Sequence, residues 1–250
     1  MSAVFVLNLL VLYFITEMSI GISKIENLDR QTQLKYLQQN LISKIENLDS
    51  LKELDTLNLE NNCIKEICNL KACSQLNTLN LAKNQLKSAE DINVNIKLKS
   101  VLDLSNNSLE NPNILDILKQ MPNLKVLYLF GNKVCGEIKN YRKTIISSIA
   151  TLTHLDDRPV FEEERRTCNA WAQGGLEAER GERERISQEK KQKEERNFQA
   201  FKELVRQARQ HKKDPVGPAT GATFFDDATH QFDDEMKSME EISETASSDF

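Results

Sequence analysis

Residues 54–62 read LDTLNLENN, and this pattern of three leucines and an asparagine, L-x-x-L-x-L-x-x-N, recurs along the chain. Complete copies are LNTLNLAKN at 76–84 and LKVLYLFGN at 124–132, and a partial copy is VLDLSNN at 101–107. The pattern asparagines follow one another after 22, 22, 23 and 25 residues: Asn40, Asn62, Asn84, Asn107 and Asn132. A period of this length, kept in both spacing and residue type, indicates one structural unit used several times.

Each letter of the pattern has a physical reason. Side chains alternate along a strand, so Leu57 and Leu59 point inward while the residues beside them face out. The asparagine amide can bond backbone groups that would otherwise be unpaired inside the coil. One unit cannot bury its own leucines, so the units must stack. The sequence therefore predicts an α/β leucine-rich repeat solenoid with short parallel strands on its concave face.

The octapeptide ISKIENLD occurs at 22–29 and again at 42–49, twenty residues apart instead of 22. The segment between the copies keeps Leu34 and Leu37 but lacks two residues of the strand pattern before Asn40. A bulge or an irregular turn could absorb the shortfall. The loss of one repeat plus two residues would leave the same join, and we favour this explanation, an altered splice or a gene-prediction error at 34–36.

Composition divides the rest of the chain. Residues 1–20 begin with sixteen uncharged, mostly aliphatic residues, which fit a signal peptide, an apolar cap or a wrongly assigned first exon. We assign the repeats to 21–134 and a cap that covers the last leucines to 135–160. A long charged helix is predicted over 161–213 and a disordered acidic tail over 214–250.

The charged helix also carries an apolar stripe. Its residues recur at helical spacing: Phe198, Phe201, Leu204, Val205 and Ala208. The stripe can dock a partner helix as a coiled coil does, or it can cap the chain's own core. The sequence leaves both interpretations open.

Charge and motifs exclude several function classes. The net charge of −5 predicts no general attraction to nucleic acid or to anionic lipid. Five scattered cysteines form neither a disulfide framework nor a zinc pattern, and a reduced, intracellular chain is the simpler interpretation. We find no phosphate-binding loop, nucleophile elbow or zinc-protease motif. The sequence predicts no enzyme activity, no cofactor and no metal.

The outward strand positions of the repeats form a candidate protein-binding surface on the concave face. They change from polar to aromatic toward the cap, and they comprise Thr56, Asn58, Glu60, Thr78, Asn80, Ala82, Val101, Asp103, Ser105, Val126, Tyr128 and Phe130. Exposed aromatic residues often dominate interface energy, so Tyr128 and Phe130 are the predicted anchors. The alternative is that the cap covers both rings.

Longer stretches carry a family likeness. The I-E-N-L units resemble the SDS22-like class of leucine-rich repeats, and YRKTIISSIATLTHLDD at 141–157 resembles the cap of that class. The stretch LTHLDDRPVFEEERRTCNAWAQGGLEAERGER at 152–183 is similar to the junction of the axonemal dynein assembly factors with leucine-rich repeats. The resemblance covers about 21 to about 196 and identifies no binding residue.

The resemblance implies a cytoplasmic, cilium-associated protein that is needed to preassemble dynein arms before their transport into the axoneme. It implies a scaffold with protein partners, namely dynein chains and co-assembly factors or chaperones, and no nucleic-acid or membrane partner. Two other hypotheses remain. One is a phosphatase-regulating subunit built on the same repeats, and the other is a secreted or membrane-tethered repeat receptor that uses the N-terminal apolar stretch.

Overall fold

The computed structural model describes residues 21–25, 36–88, 98 and 100–211. It divides into two units, Met1–Glu189 and Lys190–Phe250. The predictions for the apolar segment 1–20 and the acidic tail 214–250 lie outside the described residues. So does the two-residue shortfall, because Tyr36 is already in step with the following turn.

Six short strands form one sheet in chain order. They are β1 (Thr56–Asn58), β2 (Thr78–Asn80), β3 (Val101–Asp103), β4 (Val126–Tyr128), β5 (His154–Leu155) and β6 (Arg158–Pro159). Strands β1 to β5 are parallel and β6 returns antiparallel to β5. The central leucine of each of the first four strands is fully buried and lies in register with the next. The predicted leucine-rich repeat solenoid is confirmed.

Buried asparagines join successive turns of the solenoid. The Asn84 amide nitrogen donates to the carbonyl oxygen of Leu59 at 2.9 Å, one turn earlier, and to those of Leu81 and Ala82 at 3.1 and 3.2 Å. Its side-chain oxygen accepts a hydrogen bond from the backbone nitrogen of Ile64 at 2.9 Å. The other members of this ladder are Asn40, Asn62, Asn107 and Asn132. A polar residue is thereby buried with its hydrogen bonds made.

A second asparagine position stabilises the opposite side of the coil. Asn47 and Asn69 of the I-E-N-L units have φ values of +59° and +58°. Their amides donate to the carbonyl oxygens of Ile25 and Ile45, respectively, at 2.5 and 2.7 Å. The two copies of ISKI thus occupy successive turns. Asparagine suits this site because it adopts left-handed backbone more readily than most residues.

A cap follows the last repeat. Three short helices lie in this part of the chain: α1 (Ile114–Leu118), α2 (Val134–Glu137) and α3 (Tyr141–Ser148). Ile145 and Ile146 of α3 are fully buried against the last leucines, as the apolar pattern of the predicted cap requires. The guanidinium of Arg165 donates to the carbonyl oxygens of Ile146 and Ile149 at 3.3 and 3.2 Å and to that of Leu152. It therefore satisfies carbonyl groups that the end of α3 leaves free.

The charged helix, α4 (Glu162–His211), is interrupted at Gly174 and Gly175. Gly175 has φ +69° and ψ −154°, a conformation that is essentially restricted to glycine. After the glycines the chain turns back, because Arg166 binds Glu182 at 2.7 Å and Glu189 at 2.6 Å. A straight helix would separate Arg166 from Glu189 by about 35 Å. We call residues 162–189 the helical hairpin.

The hairpin packs on the cap through ion pairs and a buried face. Lys143 of α3 lies 2.5 Å from Glu179, a carboxylate that is 4% exposed, and its amine lies 5.8 Å from the centre of the Trp171 ring. Cys168 and Ile186 are buried within the same unit. Of the helices in the described part of the chain, none has the length and hydropathy needed to cross a membrane.

Candidate protein-binding face

The outward side chains of the sheet form three columns across the strands, and we call this surface the concave face. The first column starts each strand, with Thr56, Thr78, Val101, Val126 and His154 in register. The second ends each strand, with Asn58, Asn80, Asp103 and Tyr128 in register. The third follows two residues later, at Glu60, Ala82, Ser105 and Phe130. The fold thus brings all twelve predicted residues together on one side.

Two of the twelve are not exposed, which corrects the prediction for them. Ala82 is 4% and Ser105 is 2% exposed, whereas Glu60 in the same column is partly exposed and Phe130 is 45% exposed. Alanine and serine side chains are too short to extend past their neighbours. The Ser105 hydroxyl also donates to Asp103 Oδ1 at 2.7 Å, which holds it against the strand. The third column therefore offers contacts only at its two ends.

The aromatic end of the face remains accessible. Phe130 exposes 45% of its surface and Tyr128 is partly buried, so the cap does not cover the Phe130 ring. Their role as anchors stays a prediction.

One aromatic residue of the face was missed. Tyr36 forms a parallel bridge with Asn58, which places it at the head of the second column, and it is 47% exposed. The two-residue shortfall hid its alignment. Counting back 22 residues from Asn58 would have found it, since the strand side of this turn keeps the regular period.

The second column is preorganised by its own backbone. Asn58 Oδ1 accepts a hydrogen bond from Glu60 N at 3.0 Å, and Asn80 Oδ1 accepts one from Ala82 N at 2.9 Å. Asp103 Oδ1 accepts the equivalent bond from Ser105 N at 2.9 Å. These bonds hold each side chain in one orientation, so little rotamer freedom remains to be lost when a partner binds.

The middle of the face is acidic. Glu60 pairs with Lys83 at 2.8 Å across neighbouring turns. Burial raises the pKa of the Asp103 carboxyl, its hydrogen bonds from Ser105 lower it, and the nearby carboxylates of Glu60 and Asp156 raise it again. The net upward shift means that this part of the surface disfavours a further negative charge.

A model of the leucine-rich repeat matches residues 20–183, and this span contains the strands, both asparagine positions and most of the hairpin. The chain belongs to the leucine-rich repeat family.

Other leucine-rich repeat proteins are similar to it over part of their length. It is 41% identical over 150 residues to Leucine-rich repeat-containing protein ODA7 of Chlamydomonas reinhardtii, which covers 58% of this chain and 35% of that protein. It is 47% identical over 113 residues to Dynein axonemal assembly factor 1 of Homo sapiens, which covers 45% of this chain and 16% of that protein. The chain therefore spans well under half the length of these relatives. The resemblance to axonemal dynein assembly factors is confirmed.

Solved structures with leucine-rich repeats also match. The crystal structure of the Drosophila melanogaster SNF/U2A' complex aligns at 27% identity with a TM-score of 0.47, over 52% of this chain and 75% of that chain.

The cap of this leucine-rich repeat domain positions the aromatic end of the face. Asp156 Oδ1 accepts hydrogen bonds from the backbone nitrogens of Leu129 and Phe130 at 2.8 and 3.1 Å, and its Oδ2 accepts one from the Tyr141 hydroxyl at 3.0 Å. Asp156 therefore binds the backbone at the end of β4, where another strand would otherwise continue the ladder. Sequence reasoning placed this residue in the cap but did not find its contact with Phe130.

The polar groups beside Asp156 are not arranged for nucleophilic chemistry. Burial raises the pKa of the Cys135 thiol, and burial together with the Asp156 charge raises the pKa of the Tyr141 hydroxyl well above its usual range. Both groups keep their protons at neutral pH, whereas a nucleophile needs a lowered pKa or an adjacent base. Their hydrogen bonds stabilise the cap. Within the described residues, no three His, Cys, Asp or Glu side chains are grouped to hold a metal ion.

Proposed function

We propose that this chain is a non-enzymatic scaffold in the cytoplasmic preassembly of axonemal dynein arms, and that cilium structure and motility depend on it. The observation that carries the proposal is the similarity to ODA7 and to Dynein axonemal assembly factor 1. The second of these names states a role in dynein assembly. Because the chain spans only part of each relative, the role is proposed for it and not transferred as a fact.

The concave face supplies the binding surface in this proposal. Its partners are proteins, namely dynein chains and the factors or chaperones that assemble with them. A rigid row of preorganised polar groups between exposed aromatic residues supports protein binding, because aromatic side chains bury a large area at low entropy cost. The site of action is the cytoplasm of ciliated cells, before arms reach the axoneme.

The direct test is depletion of the protein in a ciliated cell, followed by electron microscopy of axoneme cross-sections. We expect missing dynein arms on intact microtubule doublets. Normal arms with normal beating would contradict the proposal. Co-purification with a phosphatase catalytic subunit in the absence of dynein chains would favour the phosphatase hypothesis instead.

Rescue of the depleted cell tests the face itself. We expect wild-type protein to restore the arms and the variant Tyr128→Ala with Phe130→Ala to fail, because both rings are lost while the buried leucines of β4 stay in place. Loss of two anchors should weaken partner binding at least about tenfold. The matched control is Leu176→Ala, which removes a side chain that is 76% exposed on the hairpin. If the aromatic variant rescues as well as the control does, the face is not the binding surface.

A further inference from the structure

The centre of the concave face has an excess of negative charge. Asp103 ends β3, and the carboxylates of Glu60 and Asp156 are close enough to disfavour its ionisation. Lys83 is the cation nearby, but its amine is engaged 2.8 Å from Glu60. One amine thus faces three carboxylates, so a positively charged group from outside would be attracted and an anionic one repelled.

Asp103 also keeps an acceptor available. Within the described residues both hydrogen bonds to its carboxylate, from the Ser105 nitrogen and hydroxyl, end on Oδ1. The lone pairs of Oδ2 remain for a donor outside the chain. Asp103 is only partly buried, so such a donor can reach it.

Aromatic surface lies directly beside this carboxylate. Tyr128 pairs in register with Asp103 on the neighbouring strand, at the roughly 4.8 Å spacing of adjacent strands. Phe130 lies two residues further along and is 45% exposed. Ring faces attract cations, and the aliphatic stems of lysine and arginine pack against them.

We infer that this part of the concave face seats a lysine or arginine side chain of a partner protein, with the cation at Asp103 and the stem against Tyr128 and Phe130. The inference rests on the proposed function, because it specifies the chemistry of the partner at that same face. The occupant is a basic protein segment. An acidic segment, including the chain's own acidic residues after 214, has the wrong charge.

The test uses the full-length protein in ciliated cells with a photo-crosslinking benzoylphenylalanine in place of Thr78. Thr78 lies on β2 in the first column, next to Val101 of β3. Crosslinked segments are identified by mass spectrometry in wild-type, Asp103→Asn and Asp116→Asn backgrounds. Asp103→Asn removes only the charge and recreates the side chain that Asn58 and Asn80 present at the same position. Asp116→Asn is the control, a carboxylate 73% exposed on α1.

We expect the captured segment to contain lysine or arginine and its capture to fall about fivefold or more in Asp103→Asn but not in Asp116→Asn. Capture should also fall in 0.5 M salt. Undiminished capture in Asp103→Asn, or a captured segment without basic residues, would overturn the inference and leave the proposed scaffold intact. If position 78 captures nothing in the wild-type background, the concave face is not a binding surface and the proposed function itself is wrong.

Discussion

Single asparagine side chains join the turns of this molecule. Asn84 pairs with four backbone groups that have no other means of being satisfied inside the coil, and it is 8% exposed. Leucine in that position would fill space but leave those groups unpaired. The asparagine is therefore as necessary to the repeat as the leucines are.

We expect Asn84→Ala to lower the free energy of unfolding by about 3 kcal/mol or more, because buried backbone groups lose their partners. Asn84→Asp should be similarly destabilising, since a carboxylate can accept from Ile64 N but cannot donate to the carbonyl groups. The control is Asn113→Ala, an exposed residue whose side chain makes no capping bond. Urea unfolding followed by circular dichroism measures all three. An Asn84→Asp variant as stable as wild type would show that donation by the amide is unimportant.

Glycine decides the backbone at two single positions. Gly131 has φ +75°, and a Cβ there would lie 2.3 Å from the side-chain oxygen of Asn106. Lys83 and Asn61 take the equivalent left-handed position in earlier turns, with φ +54° and +55°. The left-handed residue before each ladder asparagine is thus a property of the repeat, and only the crowding at Gly131 demands glycine.

At the scale of elements, the hairpin is the clearest departure from what local propensity suggests. Charged, strongly helix-forming residues lie on both sides of Gly174 and Gly175 and favour one long helix. The fold-back is stabilised instead by contacts distant in sequence, chiefly those of Arg166 with Glu182 and Glu189. Glu189 therefore pairs with Arg166 and not with the predicted Lys193. The glycines permit the turn, and the ion pairs and buried Ile186 select it.

Two glycine substitutions separate these contributions. Gly175→Ala should destabilise the hairpin by about 1–3 kcal/mol, because its backbone conformation is closed to alanine. Gly181→Ala lies within the helix with open space around the new methyl group and should stabilise by about 0.5–1 kcal/mol. Trp171, the only tryptophan, reports on the hairpin by fluorescence during urea unfolding. Equal effects of the two substitutions would contradict a turn at Gly175.

At the scale of the whole molecule, stability depends on the cap, because a solenoid is a row of units that each contact only their neighbours. Arg142 of α3 is the joint. It binds Glu164 through two hydrogen bonds of 2.6 and 2.7 Å, and the carbonyl oxygens of Leu155 and Pro159 at 3.2 and 2.9 Å. One side chain thus connects the cap, the last strands and the start of the hairpin.

We expect Arg142→Gln to lower the free energy of unfolding of the capped solenoid by about 1–3 kcal/mol at pH 7, since it leaves a carboxylate and two carbonyl groups without their partner. Arg142 lowers the pKa of Glu164 in the folded state. The stabilisation is therefore present above the ordinary carboxyl pKa and is lost as the pH falls through the lowered one. Thermal unfolding at pH 7 and pH 3 tests this.

The control is Arg206→Gln, whose exposed pair with Glu203 should contribute nothing measurable. A difference between Arg142→Gln and wild type that does not shrink at pH 3 would exclude the ion pair as its source.

The sequence alone determined the repeat, its period and its inward leucines, because each letter of the pattern acts within one turn or on the turn 22 residues away. It also determined that a charged helix follows a cap. Only the tertiary structure decided that Asp156 ends the ladder, that Tyr36 heads a column of the binding face, that Ala82 and Ser105 are covered, and that the helix folds back at Gly175. These features depend on contacts between residues with no periodic relation and on the size of their neighbours, and no local pattern encodes either.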